Sequence, residues 1–162
     1  MDNIFVYIFL LFLFYGSICD VLTFEIPNYV SLAAVLLFVP AALWEHFSLI
    51  GVLYNFGAGT LVLLVGGALF FFNVIGAGDV KMLASAAVWA GFPGLPTLLL
   101  SVSLVGGVLA LTLIVFRRFK LAGKWHRVDW LANLHREKDV PYGLAIFLGT
   151  VFIFPQLLEP NA

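Results

Sequence analysis

The chain is 162 residues long, 63% hydrophobic and 10% charged, with a mean hydropathy of +1.10. That composition excludes a water-soluble globule, which needs far more charge to cover its surface. The formal net charge of −1 hides an asymmetry, because of the 8 Lys and Arg residues only Lys81 lies outside the segment from Arg117 to Lys138. A single cysteine, Cys19, excludes an intramolecular disulfide and any Cys-x-x-Cys zinc module.

The first apolar run, Asn3 to Cys19, ends at Asp20. No Lys or Arg precedes it, so it is expected to be a retained helix and not a cleaved signal sequence. Val21 to Glu25 is expected to be a short connection, and Ile26-Pro27-Asn28 to open a second helix ending near Trp44. Proline suits a first helical turn, where its missing N–H has no partner to lose. A third helix is predicted from Val52 to Asn73, leading into Gly76-Ala77-Gly78-Asp79. Helix four follows from Asp79 to Ala90, with Asp79 at or near its N-cap. The glycines and prolines from Gly91 to Pro96 then divide a run too long for one crossing. Helix five covers Thr97 to Phe116, and helix six runs from Pro141 to Leu158.

Between these last two lies the basic segment from Arg117 to Asp139. There Leu121, Trp125, Val128 and Ala132 recur at helical spacing, which predicts an amphipathic helix on the membrane surface. The expected fold is all-α: a polytopic membrane protein, a bundle of six transmembrane helices forming one domain over residues 1–162. The positive-inside rule places the basic segment in the cytoplasm. By parity both termini then face outward, and Asp20 and Asp79 share the cytoplasmic side.

A carboxylate immersed in a bilayer costs at least a few kcal/mol, which makes it a candidate functional group. Two acids on one side suggest aspartic protease chemistry. One carboxylate takes a proton from water while its protonated partner polarises the scissile carbonyl. Repulsion between close carboxylates lets the pair hold a single proton without a metal. Asp79 equally suits a plain helix cap beside a glycine turn, and the residues alone leave both readings open. Metal and cofactor chemistry is not expected. His46 falls on the outer side, His126 and His135 lie in the basic segment, and none forms a His-x-x-x-His pair.

Asp20 followed by Ile26-Pro27-Asn28, then Gly76-Ala77-Gly78-Asp79-Val80-Lys81, resembles the type IV prepilin peptidase family of membrane aspartic proteases. The run from Val140-Pro141-Tyr142-Gly143 to Ile146 resembles it as well. The resemblance implies that Asp20 and Asp79 are the catalytic pair. It also implies that the partners are prepilins, cut on the cytoplasmic side of the inner membrane, with no nucleic acid involved. Within the family the chain is similar to the short form serving tight-adherence (Flp-type) pili. The long form's cytoplasmic Cys-x-x-Cys domain, which methylates the new N-terminus, has no counterpart in this sequence, so an unmethylated product is expected. Basic residues common in the family before Ile-Pro-Asn are replaced here by Val21-Leu22-Thr23-Phe24-Glu25.

Supporting roles at the site are assigned to Gly76, Gly78, Lys81, Glu25, Pro141, Tyr142 and Gly143. Lys81 suits attraction of an acidic substrate side chain or snorkelling to the interface. Glu25 suits a basic leader or a solvated turn. Rival readings are a preflagellin or presenilin-like protease, a small proton- or cation-coupled transporter, and an assembly scaffold.

Overall fold

In the computed structural model, which describes residues 3–118, 142–153 and 155, every regular element is helical. Helix α1 spans Asn3–Thr23. Its buried positions, Val6, Phe9, Leu13, Gly16, Ser17 and Asp20, recur every three or four residues and form one stripe. The other faces expose Ile4, Leu11, Phe14, Ile18 and Leu22. A helix apolar on all sides with only one face packed is suited to lipid.

Asp20 therefore sits inside the last turn of α1 and not beyond its end as expected. Nothing in Val21-Leu22-Thr23 breaks a helix, and the chain turns only at Phe24, whose φ is +56°. Helix α2 is Asn28–Trp44, with Pro27 in the extended conformation just before it and not in its first turn. Helix α3, Leu49–Phe71, begins earlier than expected because Ser48 caps it, accepting the Gly51 N–H at 3.1 Å.

Helix α4, Ala77–Arg118, is broken at Gly91 (φ +61°, ψ −178°). The expected six-residue divider is in fact one residue: Pro93 falls in the first turn of the second arm, where proline is tolerated, and Pro96 is carried within the helix that follows. Only glycine suits the break: its φ is left-handed, and a Cβ there would lie 2.7 Å from Asn55 Oδ1. Helix α5 is Tyr142–Phe152. Pro141 and the surface helix expected around Leu121–Ala132 lie outside the described residues.

Pairings between helices set their directions. α1 runs antiparallel to the first arm of α4, with Gly16 beside Met82 and Phe9 stacked on Trp89 at 4.5 Å. It is also antiparallel to α5, since Asp20 meets Gly143 and Phe14 meets Phe147. α2 lies parallel to the first arm of α4, with Asn28 on Lys81 and Ala34 on Trp89. α3 is antiparallel to that arm, through Gly66 with Val80 and Gly59 with Val88. The second arm pairs antiparallel with α5 through Gly106 with Tyr142 and Val102 with Gly149, so the chain doubles back at Gly91. One end of the bundle thus collects the C-terminus of α1 and the N-termini of α2, α4 and α5.

Trp89 is the largest fully buried side chain among the described residues. It stacks on Phe9, meets Phe38 edge-on at 5.6 Å and donates its indole N–H to the Ala34 carbonyl at 2.9 Å. Trp89→Ala should therefore cost about 3 kcal/mol or more, the usual toll for emptying a large aromatic site. A thermal melt in detergent checks this, and an unchanged midpoint would mean the packing there is dispensable.

Among the described residues three helices are long and apolar enough to cross a membrane: Ile4–Thr23, Leu49–Phe71 and Ala77–Val115. Asn28–Trp44 and Tyr142–Phe152 are shorter apolar helices. The described residues are all-helical, and their long apolar helices are those of a multi-pass membrane protein.

Candidate active site

Asp20 is the last member of the buried stripe on α1 and is only 6% exposed. Its Oδ2 accepts the Gly143 N–H at 2.7 Å. That amide belongs to the first turn of α5, where backbone N–H groups have no partner within the helix and attract negative charge. Gly143 is required for the approach, because a Cβ there would stand 2.9 Å from Asp20 Oδ2 and 3.0 Å from its Cβ.

Asp79 is the third residue of α4 and not its N-cap. The helix starts at Ala77, and the Val80 N–H bonds back to the Gly76 carbonyl at 3.1 Å. The Asp79 carboxylate accepts the Gly76 N–H, the reach-back bond of a capping box. Its Oδ2 lies against Gly76, while Oδ1 is buried with no hydrogen-bond partner among the described residues. An unsatisfied buried carboxylate oxygen is rare, and a plain cap does not call for one. Asp20 is close enough that its charge bears on Asp79.

Two further contacts join the turn between α1 and α2 to the start of α4. Ile26 packs on Gly78, where an added Cβ would come within 3.1 Å of the Ile26 Cβ. Lys81 Nζ donates to Asn28 Oδ1 at 2.8 Å. Sequence reasoning gave Asn28 no role beyond its place in Ile-Pro-Asn. Glu25 is exposed, and its backbone carbonyl accepts the Thr23 hydroxyl at 3.3 Å. Tyr142 lays its ring on Gly106, where a Cβ would lie 2.7 Å from Tyr142 Cε1. No group of three or more His, Cys, Asp or Glu side chains suited to a metal ion occurs among the described residues.

The fold and site together define a multi-pass membrane protein that gathers two acids, the buried Asp20 and the half-buried Asp79, 59 positions apart in the chain, at one end of a helical bundle. Residues 7–111, which include both acids, match the model of the type IV leader peptidase family, and the chain belongs to that family. It is 35% identical over 69 residues to the prepilin leader peptidase/N-methyltransferase of Aeromonas salmonicida strain A449. A second Aeromonas salmonicida protein of the same description matches to the same extent. The aligned stretch is 43% of this chain and spans 19% of the length of those relatives. No solved structure matches the chain.

Proposed function

We propose that this chain is an aspartic endopeptidase that removes the leader peptide of type IV prepilins, with Asp20 and Asp79 as the catalytic pair. The observation that carries the reading is that Asp20 and Asp79 lie at one bundle end within reach of each other's charge, with the Asp79 Oδ1 buried and without a hydrogen-bond partner among the described residues. Membership of the leader peptidase family and the description of the Aeromonas relatives support prepilins as the substrate class. The pair holds one proton between its carboxylates. The ionised member takes a proton from water as the oxygen attacks the scissile carbonyl, and the protonated member hydrogen-bonds the developing oxyanion. Collapse of the tetrahedral adduct breaks the C–N bond, and a proton passes to the leaving amine.

The topology that serves this chemistry is a six-crossing bundle in the inner membrane with both termini outward. The basic segment after Arg117 then holds the acid-bearing end on the cytoplasmic side, where a prepilin leader emerges from its apolar helix. Within the family the reading favours prepilins of the tight-adherence type.

The direct test is co-reconstitution of the purified chain with full-length prepilins in liposomes, followed by mass spectrometry of the products. A single cut at the leader junction is expected, and intact precursors across the panel would overturn the reading. Requiring one proton on the pair also sets the pH response. Activity falls on the alkaline side when that proton leaves and on the acid side when both carboxyls are protonated, so kcat/KM should be bell-shaped. Cleavage that kept climbing with pH from about 4 to about 9 would contradict a shared-proton mechanism.

A further inference from the structure

We propose that Asn28 and Lys81 form a clamp that positions Asp79, so that Lys81 serves catalysis by holding α4 in register with α2. The inference rests on the proteolytic reading above and deepens it. Lys81 lies two positions after Asp79, so on a regular helix the two side chains point in different directions. Its ammonium is instead directed to Asn28 Oδ1 at 2.8 Å, across a sequence separation of 53 residues.

The place of this bond explains why it matters. Asp79 rides on the first turn of α4, whose leading N–H groups have no intrahelical partner and whose backbone is the most prone to fray. Gly76 and Gly78, both just ahead of Asp79 in the chain, add backbone freedom. Something outside α4 must hold that turn. Further along, the α2–α4 seam is pinned by the Trp89 indole on the Ala34 carbonyl at 2.9 Å. At the mouth two contacts hold it: Ile26 seated on Gly78, and the Asn28–Lys81 bond. Asp79 lies between those two anchors, so the clamp sets both its height and its rotation towards Asp20. Lys81 suits this task because its long apolar stem spans the surface of the seam while its head group donates.

A cation that recognises substrate and a cation that positions Asp79 make different predictions. The test is a double-mutant cycle on the full-length chain in liposomes, with steady-state cleavage of a full-length prepilin as readout. Asn28→Leu and Lys81→Met should each lower kcat roughly ten-fold and leave KM within about two-fold, as expected for displacement of a reacting group. Combining them should be no worse than either alone, because both remove the same bond. Asn28→Asp keeps an acceptor oxygen and should stay within about two-fold of wild type. Melting midpoints of all variants separate loss of position from loss of fold.

Losses that multiply in the double variant would overturn the clamp. So would a raised KM in Lys81→Met alongside a normal Asn28→Leu, which is the signature of direct substrate recognition. If the wild type itself cleaves no prepilin, the proteolytic reading fails first and the clamp falls with it. The wild-type lane therefore separates the two failures.

Discussion

Asp79→Asn should abolish prepilin cleavage while leaving the protein as stable as wild type, or more so. The amide side chain keeps the size of the acid and still offers an oxygen to the Gly76 N–H, so the reach-back bond at the start of α4 survives. What disappears is the repulsion between two close carboxylates. The buried Oδ1 position still holds a polar atom with no protein partner among the described residues, so stability is held or slightly raised. Asp20→Asn should be equally inactive and slightly less stable. It keeps an acceptor for the Gly143 N–H but exchanges a charge-assisted bond for a neutral one, a difference of about 1 kcal/mol. Neither variant can pass a proton around the cycle, so cleavage should fall by about three orders of magnitude or more. The Asp79 variant carries the sharper test. Loss of activity joined to an unchanged or raised melting midpoint identifies a residue kept for function at the expense of stability. Wild-type turnover by either variant would remove that aspartate from the mechanism.

The two acids were legible in the sequence because a charge stands out in an apolar chain, and helix parity already placed both at one end. Their surroundings were less so. The charge on Asp20 reads as the edge of a membrane helix, yet the helix runs on to Thr23 because Val21 and Leu22 give it no reason to stop. Gly91-Phe92-Pro93-Gly94-Leu95-Pro96 reads as a loop because its turn formers are counted together. In the fold a single left-handed glycine makes the break, Pro93 falls where a helix start accepts it, and Pro96 is carried inside the helix. Least legible of all is the Asn28–Lys81 bond. It depends on α2 and the first arm of α4 lying parallel and in register, and no local pattern near either residue encodes that alignment. Gly143 is an intermediate case. The run beginning at Pro141 reads as a helix start, which explains its residues without revealing that the second of its helical amides points at Asp20.

Gly143→Ala should inactivate the enzyme by displacing an acid, with little damage to the fold. Helix α5 itself tolerates the change, since alanine is favoured over glycine in a helix by about 1 kcal/mol. The conflict is with Asp20: the added methyl would stand 2.9 Å from Oδ2, 3.0 Å from Cβ and 3.2 Å from Cγ. The flexible end of the side chain can rotate away, but Cβ is fixed to α1, so α1 and α5 must part or the carboxylate must turn. Either response moves Asp20 by a few tenths of an ångström or more and weakens the 2.7 Å bond from the Gly143 amide. Displacements approaching 1 Å cost on the order of 100-fold in rate, so kcat should drop by about that factor while KM changes little. Gly149→Ala supplies the contrast on the same helix. A Cβ there meets the Val102 backbone N and Cα at 2.8 Å, which cannot rotate aside, so the loss should appear as a lowered melting midpoint. The surviving folded fraction of that variant should cleave normally, because Gly149 lies nearly two turns from the acid. Wild-type kcat in Gly143→Ala would show that the contact between α5 and Asp20 has no part in holding the pair for reaction.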